Sequence, residues 1–239
     1  RRRIRDNLAL TCPDLPQAEV ERLVRAVPDN AGRTLIELYS GASFLARAHA
    51  APLTGPGVAA LEAARAAGRP VILLTGHFGN YDSARARLFA MGHGMGSMYR
   101  RMANPYFNDH YVRTISSIGK PMFEQGRRGM VEMVRHLKDG GIIALVADLH
   151  VHGGRWLTFF GQPALSSVVA AELAMKHGAA LIPIYGIRQP NGLDFEVTIH
   201  DEIPHTDPET MTQAYNDGLE TLVRAHMDQW FWIHRRWKP

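Results

Sequence analysis

The sequence predicts an α/β protein with a mostly parallel central sheet flanked by helices and preceded by an N-terminal helical segment. Three observations lead there. The runs Val71 to Leu74 and Ile142 to Ala147 are wholly apolar, which suits strands covered on both faces, as parallel strands are. Segments of helical periodicity alternate with short apolar runs from residue 57 onward, the pattern of βα units. The chain has 239 residues and 46% hydrophobic content, enough to bury one sizeable core. Residues 1–55 form the predicted helical segment and 56–239 the α/β core, treated as one structural domain.

In chain order, residues 17–27 and 30–50 read as helices, the second with Leu35, Ile36, Leu38, Tyr39 and Leu45 on an apolar face. Such a stripe serves core packing or contact with lipid. Pro52 to Pro56 interrupts the pattern, and a helix over 57–67 leads into a strand at 71–75. Helix 80–91, strand 96–100, helix 105–117, strand 120–123, helix 127–138 and strand 142–147 follow. A strand at 156–160, a helix at 166–177 and a strand at 180–187 come next. Phe195, Val197 and Ile199 alternate as in a half-covered strand. Thr206 with Glu209 forms a predicted capping box for a last helix running towards Gln229.

The net charge is +4 with a pI near 9.4, and only four of 27 basic residues are lysine: Lys120, Lys138, Lys176 and Lys238. Guanidinium groups grip phosphate and carboxylate in a fork, so anionic head groups or a phosphorylated carrier are expected partners. Nucleic acid is not, because the basic residues are scattered and accompany no nucleic-acid motif. The single cysteine, Cys12, excludes an intrachain disulfide and a cysteine metal cluster. No run approaches 18 apolar residues, so no spanning helix is expected. The start Arg1-Arg2-Arg3-Ile4-Arg5 lacks a methionine. It suits either a solvated charge cluster or the cytoplasmic flank of a hydrophobic anchor not included in the sequence.

Four clusters carry chemistry. His77 follows the 71–75 strand at the sheet edge where α/β proteins keep their ligands, and Asp82 follows five residues later. If the helix begins near Asn80, the Asp82 carboxylate can hold one ring nitrogen and leave the other to take a proton. The structural alternative is a packed histidine with an acid favouring the helix N-terminus. The second cluster, Asp148-Leu149-His150-Val151-His152, ends the 142–147 strand, so Asp148 belongs to the same edge as His77. His150 and His152 allow a rival reading as ligands of a metal-dependent hydrolase. The third is Tyr99-Arg100-Arg101 with Asn104-Pro105 and Arg113, where guanidinium groups would meet phosphate or an oxyanion. The fourth, Gln229 to Trp237, interleaves three tryptophans with basic residues and fits a membrane-interface edge or a packed strap.

Together these blocks resemble the lysophospholipid acyltransferase superfamily, and within it the late lauroyl and myristoyl acyltransferases of lipid A biosynthesis. The resemblance covers nearly the whole chain. It rests on Gly76-His77-Phe78-Gly79-Asn80-Tyr81-Asp82, Tyr99-Arg100 with Asn104-Pro105, Ala147-Asp148, Phe159-Phe160-Gly161-Gln162-Pro163-Ala164, Ile182-Pro183-Ile184 and Gln229-Trp230-x-Trp232-x-His234-Arg235-Arg236-Trp237. Asp148-Leu149-His150 stands where the family more often has Asp-Gln, and Met227-Asp228-Gln229 where it has Pro-Glu-Gln.

The resemblance implies an O-acyltransferase at the cytoplasmic face of the bacterial inner membrane. It would use an acyl carrier protein or coenzyme A thioester as co-substrate, no cofactor and no metal, and a lipid hydroxyl as acceptor. Lipid A precursor is the first acceptor implied, and a lyso-lipid yielding a two-chain aminolipid or phospholipid the second. His77 would be the general base and Asp82 its orienting acid. Backbone N–H groups at Gly79 and Asn80, or Arg100 and Arg113, would hold the oxyanion, with Asp148 among the substrate-binding residues. A nucleophile elbow is absent from the sequence and Cys12 lies outside every block, which favours direct transfer over an acyl-enzyme.

Overall fold

The computed structural model describes residues 1–238. Nine helices and nine strands among them run α1 (Arg2–Thr11), α2 (Gln17–Leu38), α3 (Ala42–Ala50), β1 (Leu53–Thr54), α4 (Val58–Ala66), β2 (Val71–Thr75), α5 (Tyr81–Ala90), β3 (Met95–Tyr99), α6 (Pro105–Ile118), β4 (Met122–Glu124), α7 (Arg127–Lys138), β5 (Ile142–Val146), β6 (Arg155–Phe159), β7 (Gln162–Ser166), α8 (Val169–His177), β8 (Ala180–Arg188), β9 (Phe195–Ile199) and α9 (Pro208–Ala225). A seven-stranded sheet has the order β1-β9-β8-β2-β5-β3-β4, and β6 and β7 form a separate hairpin. Within the large sheet only β8 and β9 are antiparallel.

The sheet divides the core into two layers. Along β2, Ile72 and Leu74 face one layer while Val71 and Leu73 face the other, the two-residue period of a strand buried on both sides. The first layer takes residues from α1, α2, α7, α8 and α9, and the second from α3, α4, α5 and α6. β2 lies between β8 and β5, so the loop after it emerges at the middle of the sheet's carboxyl edge.

The N-terminal segment differs most from the sequence reading. Residues 2–11 are helical because Ile4 and Leu8, one turn apart, are fully buried beneath the basic face. The helix expected to break near residue 28 continues through Pro28 to Leu38. Beyond Pro28, Thr34 donates to the Gly79 carbonyl at 3.1 Å, and Glu37 accepts from Asn80 Nδ2 at 2.7 Å and from both terminal nitrogens of Arg188. Arg188 also donates through Nε to Asn30 Oδ1 at 2.7 Å. These tertiary bonds outweigh the one backbone bond that proline removes. The predicted stripe divides: Leu38 and, on α3, Leu45 pack against the second core layer, whereas Leu35 is 61% and Ile36 69% exposed.

Two further elements escape the pattern. β1 and β7 are short and carry no strong periodicity, although β7 pairs in register with β6 from Gln162 opposite Phe159 to Ser166 opposite Arg155. The last helix is capped by Asp207 rather than Thr206, its side chain accepting from the N–H groups of Glu209 and Thr210 at 3.0 Å each. Pro208 at the first helical position fixes that frame.

Glu37 and Arg188 are both largely shielded from water, so removing one leaves the other as an uncompensated charge. Arg188→Ala is expected to destabilise the protein by about 3–5 kcal/mol in urea unfolding, and Glu37→Leu with Arg188→Met to recover most of that loss.

Candidate active site

β2 and β5 are parallel neighbours whose register places Thr75 opposite Val146. His77 and Asp148 each lie two residues beyond that pair, and they meet. His77 Nδ1 is 2.7 Å from Asp148 Oδ1 and the His77 backbone N–H donates to Oδ2 at 2.8 Å. Trp230 Nε1–H donates to the same Oδ2 at 2.9 Å. Gly76 permits this approach, since a Cβ there would lie 3.1 Å from Oδ2.

Asp148 is 1% exposed. Burial alone would raise its pKa, but the charge and hydrogen bonds of His77 lower it to about 2. An ionised carboxylate only accepts, so His77 carries its proton on Nδ1 and leaves Nε2 as the basic nitrogen. Burial opposes charge on His77, and the neighbouring Asp148 overcomes it, so the imidazole pKa is raised above its ordinary value.

The carboxylate expected at this imidazole was Asp82, and the structure corrects that. Asp82 sits in the first turn of α5 and pairs with Arg85 at 2.9 Å, both nearly buried. Helical geometry brings residues three apart onto one face, and that face turns Asp82 to Arg85. Asp82 nevertheless lines the same cavity as His77.

The expected oxyanion donors are either engaged in other hydrogen bonds or away from the cavity. Gly79 N–H donates to the Gln229 carbonyl at 2.8 Å and Asn80 N–H to the Gly186 carbonyl at 3.0 Å, so both are already used. These bonds stitch the loop between β8 and the C-terminal strap. Gly79 has φ +52, and a Cβ there would lie 2.0 Å from the Gly186 oxygen. The Asn80 side chain caps α5 through Asp82 N–H. Arg100 and Arg113 are exposed, and neither lines the cavity at His77.

That cavity measures about 230 Å³. One wall is α2, through residues such as Val27, Ala31, Thr34, Leu35 and Leu38, and the opposite side is His77, Gly79, Tyr81, Asp82 and the strap residues Gln229 to Phe231. The Tyr81 ring lies edge-on to His77 with centroids 6.1 Å apart, and burial raises its hydroxyl pKa.

The strap is packed inward. Trp230 and Trp232 are fully buried and form an aromatic cluster with Phe159, Phe160 and Trp237. Gln229 pairs its amide with both backbone groups of Arg188 at 2.8 Å. Arg236, also fully buried, donates to the Leu165 carbonyl and to Ser166 Oγ. This path brings His234 against the His77 imidazole with ring centroids 4.5 Å apart, a neighbour the sequence reading did not assign. Burial, followed by repulsion from His77, lowers the His234 pKa to about 4.

The rival metal ligands do not assemble as expected. His150 and His152 pack edge to face at 5.2 Å, while the group of three ligand-type side chains brought together among the described residues is His77, Asp148 and His234.

The whole chain, residues 1–239, matches the family model described as bacterial lipid A biosynthesis acyltransferase. The chain belongs to that family. It is an acyltransferase acting on a lipid. Among similar proteins, phosphatidylinositol mannoside acyltransferase of Mycobacterium tuberculosis is 26% identical over 98% of this chain and 76% of its own length. A lipid A biosynthesis acyltransferase of Haemophilus influenzae is 25% identical over 74% of this chain and 56% of its own length. The phosphatidylinositol mannoside acyltransferase of Mycolicibacterium smegmatis is 24% identical over 72% and 58% respectively.

Asp148→Asn is expected to lower acyl transfer by about 10²–10⁴, with Asp82→Asn costing less. Activity should rise with pH as His77 loses its second proton. Because Asp148 raises the His77 pKa, its removal should shift that rising limb of the pH–rate profile towards acid while lowering the plateau.

Proposed function

We propose that this enzyme transfers a fatty acyl chain from an acyl carrier protein or coenzyme A thioester to a hydroxyl of a membrane lipid, in lipid A biosynthesis. The observation that carries the mechanism is His77, held through Nδ1 by a buried, ionised Asp148 and lining a cavity walled by apolar residues of α2. The family description supports this acceptor, and the name of the mycobacterial relatives, phosphatidylinositol mannoside acyltransferase, supports a sugar-bearing lipid more generally.

In the reaction, His77 Nε2 takes the hydroxyl proton as the oxygen attacks the thioester carbonyl. Asp148 stabilises the imidazolium, as the acid of a triad does. The tetrahedral intermediate collapses to the ester and a thiolate, to which the imidazolium returns the proton. The positive end of the α5 dipole, where Tyr81 and Asp82 line the cavity, favours the developing oxyanion. Neutral His234 adds no positive charge beside the imidazolium. No cofactor enters this scheme, and the thioester is a co-substrate.

Leu35 and Ile36 on α2 and Tyr39 at its C-terminal cap are exposed beside this cavity, and Tyr39 approaches Phe107 of α6 with centroids 6.5 Å apart. Tyr106 next to it is 85% exposed. The patch supports contact with a bilayer surface, on the cytoplasmic side where acyl thioesters are made. Replacing Leu35 and Ile36 together by Asp should reduce co-sedimentation with anionic phospholipid vesicles without altering the circular dichroism spectrum.

The decisive assay is release of free thiol from an acyl thioester in the presence of lipid A precursor. Wild-type protein should release thiol in a chelator-resistant, acceptor-dependent way, and His77→Ala should lose about 10²–10⁴ of that rate. Undiminished turnover by a folded His77→Ala protein would reject the mechanism. Turnover with a lyso-lipid but not with lipid A precursor would reject the acceptor.

A further inference from the structure

The catalytic pair uses two of three side chains that the fold gathers at one point. One ligand atom from each of His77, Asp148 and His234 lies within 4.8 Å of the others. His234 is poorly explained by packing alone. Its Nε2 is buried with no hydrogen-bond partner, whereas buried polar nitrogens are nearly always paired. Its backbone is fixed firmly, with the His234 carbonyl accepting from Asn7 Nδ2 at 2.9 Å and the His234 N–H donating to Phe231 O at 3.1 Å.

We propose that His77, Asp148 and His234 form a site for a divalent transition metal of the zinc type, whose occupation switches the base off. Two imidazoles and a carboxylate make a borderline donor set that suits zinc, with a fourth position left for water. Asp148 Oδ2 is committed to the His77 backbone and to Trp230, so Oδ1 is the ligand oxygen and the ion takes the place of the proton between Oδ1 and His77 Nδ1. At zinc–ligand distances near 2.0–2.2 Å, tetrahedral donors lie about 3.4 Å apart. The 2.7 Å contact between His77 and Asp148 must open slightly and His234 close in. Outer hydrogen bonds from Trp230 and the His77 N–H already hold the carboxylate, as supporting partners do at metal sites.

The consequence follows from the tautomer. A metal on Nδ1 moves the ring proton to Nε2, and the nitrogen that accepts the acceptor's proton is then blocked. Zinc is therefore an inhibitor here and not a catalyst. The inhibition rests on the proposed role of His77 as the base, whereas metal binding is measured on the protein without substrate and can fail or hold independently of that role.

Titration of the full chain with zinc chloride, followed calorimetrically, should show one saturable site, and cobalt chloride should give the visible spectrum of a tetrahedral ion. His234→Ala should weaken zinc binding at least tenfold, with His234→Asn as the variant that keeps a polar side chain of smaller volume, and His77→Ala should do the same. His150→Ala and His152→Ala should leave it unchanged. Absence of saturable binding by the wild type, or loss of binding in the His150 or His152 variants with retention in both His234 variants, overturns the proposal. So does turnover that requires stoichiometric zinc.

Discussion

The structure turns on a single buried carboxylate. Asp148 accepts from the ring and the backbone of His77 and from the indole of Trp230, three donors that come from two loops far apart in sequence. A buried charge is tolerated only when it is fully hydrogen-bonded, and this one is. The same bonds that make its burial tolerable fix the tautomer of His77, so stability and chemistry are the same constraint. The sheet, the strap and the indole are each needed to place one of these donors.

A second polar network fastens the wall of the cavity to its floor. Glu37 and Arg188 join α2 to β8, Asn80 ties both to the loop carrying His77, and Thr34 reaches the Gly79 carbonyl. Gln229 then pairs with the Arg188 backbone and receives the Gly79 N–H. The N-terminal helices are consequently part of the site. A helix that buries Leu23, Val24 and Val27 before its proline and keeps Leu35 and Ile36 exposed after it is fastened in its second half by these bonds.

Most of the α/β core was legible because its strands are buried on both faces and its helices are well delimited. The 71–75 strand, the 127–138 helix and the 195–199 strand have the bounds read from the sequence. What escaped was structure decided by distant partners: α1, the passage through Pro28, β1, and the strand β7 that completes the hairpin with the expected β6. The site divides in the same way. His77 was visible from strand and glycine context, whereas its carboxylate was assigned to the neighbour in sequence. Asp82 is near in sequence but belongs to a helical face that meets Arg85. Asp148 is 71 residues away and becomes adjacent only through the pairing of Thr75 with Val146. A topology placing the 142–147 strand beside the 71–75 strand would have identified it, since both residues stand two positions past the end of the paired run.

The two carboxylates show why proximity in sequence is a poor guide to partnership at a parallel sheet edge. Residues following adjacent parallel strands are brought side by side by register, at the spacing of neighbouring strands, while residues following one strand are carried away by the turn into a helix. Asp82 is drawn into the N-terminal turn of α5, where a negative charge complements the dipole and where Arg85 neutralises it. Asp148 remains in the loop at the strand end, free to approach the imidazole head-on. The division leaves one acid lining the cavity and one holding the imidazole. An imidazole confronted by both charges would have its pKa raised further, and less of it would be unprotonated at neutral pH. Pairing Asp82 with Arg85 offsets that second charge and leaves Asp148 as the carboxylate in contact with His77.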